Sequence, residues 1–171
     1  MADYLAADLA AVQPAPLARW RPWHRIKHPT LHFQRRLRFA EFRINTATNA
    51  FTRALALLAR HRARQLGQRL GFTIPPNVFG PGLSIPHWGT IIVNDQVRVG
   101  ARCRLHASTN IGVQDGRAPR IGDDCYIGPG AKLYGDIALG HRVVIGANAV
   151  VNRSCGDDCT LVGVPARARP R

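Results

Sequence analysis

The sequence is short of acid. Its 171 residues carry 24 Lys and Arg against 10 Asp and Glu, a formal net charge of +14. The shortage is local. Residues 18–71 hold thirteen basic residues and one acid, Glu41, whereas the rest of the chain holds eleven against nine. Almost every basic residue is Arg. No recognised nucleic-acid motif accompanies the charge, which sets nucleic-acid binding aside. No apolar run approaches the ~20 residues that a transmembrane helix needs. The N-terminal stretch from Met1 to Gln13 carries two aspartates and no basic segment, so a signal peptide is not expected. The cytoplasm is the expected compartment.

Cysteine is scarce as well. Cys103, Cys125, Cys155 and Cys159 are the whole set, and Cys155 and Cys159 form a lone C-x3-C pair. A structural zinc site would need a second pair, so no metal is expected. Cys103, Cys125 and Cys155 read instead as small buried fillers.

What the sequence does contain is a repeat. Ile121, Ile127, Leu133, Leu139, Ile145 and Val151 recur at a spacing of six. Four residues after each stands a second inward candidate: Cys125, Ala131, Ile137, Val143, Ala149 and Cys155. Gly122, Gly128, Gly140 and Gly146 directly follow leading positions. A period of six fits neither a helix nor simple alternation. It describes a short strand, a corner and the next strand. Three such sides make a triangle of about eighteen residues, and triangles stack at strand spacing, about 4.8 Å. The earlier register reads Ile85, Ile91, Val99, Leu105 and Ile111. The eight-residue step after Ile91 predicts a turn around Asn94-Asp95, and the ten-residue step to Ile121 predicts that residues 113–120 leave the prism as a loop.

Ahead of the coil, residues 3–12 predict a short helix. Residues 14–29 predict an irregular arm, with Pro14 and Pro16 at its start and Trp20 and Trp23 among Arg19, Arg21, Arg25 and Lys27. Such an arm suits a membrane interface, a nucleobase stack or the surface of a neighbouring subunit. Residues 31–45 and 50–70 predict two helices, the second with Phe51, Leu55, Leu58 and Leu66 on one face and its arginines largely elsewhere. A basic amphipathic pair can lie on an anionic membrane or be the solvated outer face of a cap on the coil. The expected division is an arm with basic helices over 1–72 and the coil over 73–171.

The hexads, the run Gly82-Leu83-Ser84-Ile85-Pro86-His87-Trp88-Gly89-Thr90-Ile91-Ile92 and the ending Gly163-Val164-Pro165-Ala166-Arg167 together resemble the hexapeptide-repeat acyltransferases, in their serine acetyltransferase branch. The resemblance implies a mainly β fold, a left-handed parallel β-helix with an N-terminal α-helical segment. It implies a homotrimer that uses acetyl-CoA. By the same likeness Gly130, Ala147 and Arg167 contact the cofactor's pantetheine arm and phosphates, and His87 is the catalytic base. Imidazole suits that work, being largely neutral at cellular pH and able to take a hydroxyl proton. A backbone N–H near Gly112 is the expected donor to the developing oxyanion. His106 should lie beside His87 on the adjacent coil, to orient it or bind the acceptor. His141, two hexads past the loop, would have to join them for a metal-dependent hydratase.

Where serine enzymes have an acid before the histidine, this chain has Pro86. Their carboxylate partner falls at Thr73 and their second histidine at Ala118. Those positions favour a neutral hydroxyl acceptor, such as a sugar or polysaccharide precursor. The alternatives are serine O-acetylation and a non-catalytic scaffold or membrane-docking protein. The basic helices would place either at the inner membrane face.

Overall fold

The computed structural model describes residues 1–12 and 15–170; Pro14 of the arm and the terminal Arg171 lie outside them. From residue 72 onward the chain winds as a three-sided, left-handed parallel β-helix. One face stacks Phe72–Thr73, Ile91–Val93, Thr109–Gly112, Lys132–Tyr134 and Val150–Val151. The second stacks Arg98–Val99, Arg120–Ile121 and Ala138–Leu139. The third stacks Arg104–Leu105, Tyr126–Ile127, Val144–Ile145 and Cys159–Gly163, and the final strand Ala166–Pro170 turns back antiparallel to close it. Equivalent residues lie eighteen apart where the repeat is regular, as in Tyr126 with Val144 and Lys132 with Val150.

The repeat positions fill the prism. The six leading aliphatics from Ile121 to Val151 are at most 5% exposed. Cys125, Ala131, Ile137, Val143 and Ala149 are buried with them. Glycine is required where coils touch backbone to backbone. A Cβ on Gly122 would sit 2.6 Å from the Gly140 carbonyl oxygen. Cys155 departs from its expected place. It bridges Leu139, sixteen residues earlier, and is only half-buried, because the last coil is short by two residues at that side.

The predicted loop is a small hairpin. Gln114 and Arg117 exchange N–H to carbonyl bonds of 3.0 Å across Asp115 and Gly116, both with positive φ. The eight-residue step lies elsewhere than expected. Val93 pairs with Ile111 and Ser84 bridges Arg104, so the six-residue steps run Val93, Val99, Leu105, Ile111. The two extra residues therefore fall between Ile85 and Val93, not at Asn94-Asp95. Ile91 is the buried residue two before the leading one, as Thr109 is before Ile111.

Among the described residues four helices precede the coil: α1 (Ala2–Ala10), α2 (His24–Lys27), α3 (Pro29–Thr46) and α4 (Ala50–Leu70). The arm is thus partly helical, with one turn at α2. Asn49 caps α4 by accepting from Thr52 N–H, and Gly71 ends it with φ 83°. α4 buries the face expected of it only in part: Leu66 packs against the core and Leu55 is half-buried. Ala56, Ala59, Ala63 and Gly67 are buried, while Phe51 is 72% exposed and Leu58 44%. The physical reason is closeness. A Cβ on Gly67 would already be 2.9 Å from the Phe72 carbonyl oxygen and 3.0 Å from the Phe33 ring. Phe33 and Leu37 of α3 belong to the same apolar cluster as the prism interior, while Ala40, Ala59 and Ala63 form a second small cluster between α3 and α4.

Candidate active site

His87 stands on the corner between the third and first faces, at the irregular step, and its ring is exposed. Ser84 over Arg104 places Pro86-His87 above His106 of the next coil. The two imidazole centroids are 6.4 Å apart, inclined by 46°. His106 rests against Tyr126 of the coil after that, 5.0 Å between centroids. Arg104 Nε donates to His106 Nε2 at 3.3 Å. Burial, reinforced by Arg104 and then by His87, holds the His106 pKa below its ordinary value. His106 thus stays neutral and accepting, while His87 faces solvent. The third side, where Trp88 is 65% exposed, is open.

The helices brace this corner from both sides. Before it, Gln34 of α3 donates to the Leu83 carbonyl. Arg38 donates to the carbonyls of Phe79 (2.8 Å) and Gly80 (2.6 Å). Asp8 of α1 accepts from the N–H groups of Gly82 (2.9 Å) and Leu83 (3.0 Å), and is itself paired to Arg38 at 2.9 Å. Glu41 completes the cluster, 3.0 Å from Arg38 and accepting from Asn77 N–H. Beyond the corner, Gly89 N–H donates to Leu70 O at the end of α4, 3.0 Å. Arg38 and Asp8 were hidden in the sequence, because nothing local separates one buried arginine from the eleven other arginines of residues 18–71. Arg104 and Tyr126 were findable, since each directly precedes a leading residue on successive coils.

Below His87 the same edge continues down the prism. Gly130 N–H donates to Ala107 O (3.0 Å) and Asn148 N–H to Pro129 O (2.9 Å), so Gly130 and Ala147 lie one and two coils below His106. Arg167 stands on the returning strand opposite Val162, which packs against Gly146 at this edge. Four coil steps of about 4.8 Å take this edge over roughly 19 Å from His87 to Val162. Gly112 is not on it. It ends the strand Thr109–Gly112 at the next edge, beside the 113–120 hairpin, with nothing within 4 Å of where a Cβ would be. His141 is on the remaining edge, where its Nδ1 accepts from Asp123 N–H at 3.0 Å. It does not converge with His87 and His106, and no cluster of three metal-ligating side chains is found among the described residues. Thr73, at the expected carboxylate position, is exposed beside Ile92.

A low pKa at His106 has a measurable consequence. Unfolded, that imidazole takes up a proton near its ordinary value of 6.5; folded, it resists. The stability this contributes is present above that value and lost as the pH falls. Denaturant unfolding at a series of pH values should show wild-type protein losing stability relative to His106→Gln on acidification. Parallel curves for the two proteins would refute the assignment.

Residues 118–153 match the family described as bacterial transferase hexapeptide, six repeats. Serine acetyltransferase of Synechococcus elongatus is 35% identical over 115 residues, 64% of this chain and 46% of that protein. The Mycobacterium tuberculosis enzyme of the same name is 33% identical over 120 residues, 67% of this chain and 52% of that one. The chain therefore spans about half the length of the curated relatives it matches. Among solved structures, a serine acetyltransferase from Brucella abortus superposes with a TM-score of 0.76 at 26% identity, over 98% of this chain and 67% of that one. A serine acetyltransferase solved in complex with CoA gives 0.77 at 26% identity, over 98% and 68%.

Proposed function

We propose that this chain, whose coil is a hexapeptide repeat of the bacterial transferase kind, is an acetyl-CoA-dependent O-acetyltransferase with His87 as its general base. The observation that carries the reading is one edge of the prism. It has an exposed imidazole at its head and Gly130, Ala147 and Arg167 along its length, in a chain similar throughout to an acetyltransferase solved with CoA. In this reading His87 takes the acceptor hydroxyl proton while the oxygen attacks the thioester carbonyl. The tetrahedral intermediate then expels the CoA thiolate, which takes the proton back from the imidazolium. The thioester is already activated, so direct attack needs no covalent enzyme intermediate. The coil reads as a homotrimer, as its resemblance to the hexapeptide-repeat acyltransferases implies; Gly112 and the 113–120 hairpin, on another edge of the prism, would then meet His87 from a neighbouring copy. At its basic helices the chain reads as meeting an anionic membrane surface.

The acceptor best supported by the relatives is L-serine, the substrate in their name. One observation favours a second reading, a neutral hydroxyl such as a sugar. Pro86, next to His87, and Thr73, beside Ile92, carry no charge where a carboxylate would be needed to hold an ammonium group. Thiol release from acetyl-CoA, followed with L-serine and with neutral sugars in parallel, separates the two. Turnover with serine alone establishes the first, and turnover with sugars alone the second. If calorimetry shows no CoA affinity and neither acceptor releases thiol, the acetyltransferase reading falls and the scaffold reading replaces it.

A further inference from the structure

We infer that the outer face formed by the arm, α3 and α4 is a docking site for an anionic phospholipid surface, built from two adjoining apolar hollows rimmed by arginine. The first hollow, about 400 Å³, lies under Leu5, Trp20 and Pro22. The second, about 200 Å³, lies between α3 and α4 under Leu55 and Leu58. They meet at Arg36 and Phe39, which line both. Arg25 and Arg35 stand at the first and Arg43 and Arg62 at the second. No carboxylate lines either hollow. None of these five arginines is in an ion pair among the described residues, and the one acid of the segment, Glu41, is spent on buried Arg38.

Two features decide the occupant. The first is that large apolar side chains stand outside the core here: α4 packs with its alanines and leaves Phe51 and Leu58 exposed. The second is the sign of the charge. A second copy would bring arginine against arginine, and apart from Asp3 and Asp8 of α1 and Glu41 of α3 its acids lie on the coil, as in the pairs of Arg102 with Asp124 and Arg142 with Asp158. A bilayer supplies both complements at once, phosphates for the guanidinium groups and an acyl boundary for Phe39, Leu58 and an indole at the headgroup level. Arg43 stacked 5.1 Å over the Phe39 ring keeps its charge at the mouth of the hollow. Attraction to such a surface is electrostatic at range and falls with salt.

The test is flotation of the full chain with vesicles of equal parts phosphatidylglycerol and phosphatidylcholine, and with phosphatidylcholine alone, at low and high salt. Binding is expected only to the anionic vesicles and should be lost at high salt. Arg36→Gln/Arg43→Gln/Arg62→Gln should weaken it about tenfold or more, since each arginine near such a surface contributes separately. Phe39→Ser/Leu58→Ser should weaken it while leaving the salt dependence in place. If the triple variant fails to fold, Arg62→Gln alone, on an exposed helical position, must still weaken binding measurably. Absence of binding at low salt, equal binding to neutral vesicles, or full binding by the arginine variants overturns the inference. So does a drop in oligomeric state on substitution without vesicle binding, which would give the face to a second copy. Lipid binding and CoA release are separate readouts, so this inference can fail while the acetyltransferase reading stands, and the reverse.

Discussion

Replacing His87 with alanine is expected to lower the rate of acetyl transfer by about 10²–10⁴-fold, the contribution of a positioned general base. The loss should appear in kcat, with KM for acetyl-CoA little changed, because the groove residues below are untouched. The fold should survive: the residue is exposed, fills no part of the prism and, among the described residues, its ring approaches that of His106 at 6.4 Å. Single-turnover rates of the variant with saturating acetyl-CoA are the measurement. Full activity in the alanine variant would remove His87 as the base. His106 is then the next candidate, since it lies beside His87 and is kept neutral.

Arg38→Met is expected to destabilise the protein by about 3–5 kcal/mol, because it leaves buried acids without their partner. Its guanidinium is 1% exposed and joins Asp8, Glu41 and two coil carbonyls. Removing it leaves the Asp8 and Glu41 carboxylates, 2% and 9% exposed, facing each other with no cation between them. The corresponding drop in Tm is roughly 6–20 °C for a chain of this size. The triple variant Asp8→Asn/Arg38→Met/Glu41→Gln should recover part of the loss, since neutral amides cost less to bury than unpaired charges. A single variant as stable as wild type would show that the cluster contributes nothing net. The variant should also lose activity before it loses its fold, since α1 and α3 hold residues 79–83 of the segment that leads to His87.

The hexads were legible because closure of a triangle repeats the same burial demand every six residues, and Ile121 to Val151 answer it without interruption. The loop at 113–120 was legible as a surplus over that period. The position of the earlier surplus was not. Ile91 and Val93 are both aliphatic and both inward, two residues apart, so either satisfies the spacing and only strand pairing chooses Val93. α4 misled in a related way. Its larger apolar side chains look like the buried face, but the fully buried positions are Ala56, Ala59, Ala63 and Gly67, and at Gly67 the Phe72 carbonyl and the Phe33 ring leave no room for a side chain.

By itself the sequence determined the coil, its period, the interrupting hairpin and the isolated histidine ahead of the regular hexads. These follow from local rules in which each residue's burial depends on its place in a short repeat. The spacing already set His106 beside His87, but only the tertiary structure decided which other candidates share that edge. It sent Gly112 and His141 to the other two edges. It also chose Arg38 from thirteen basic residues to be buried. Such choices depend on the accumulated register of every coil between two residues, and on helices packed from far along the chain, which no short stretch of sequence contains.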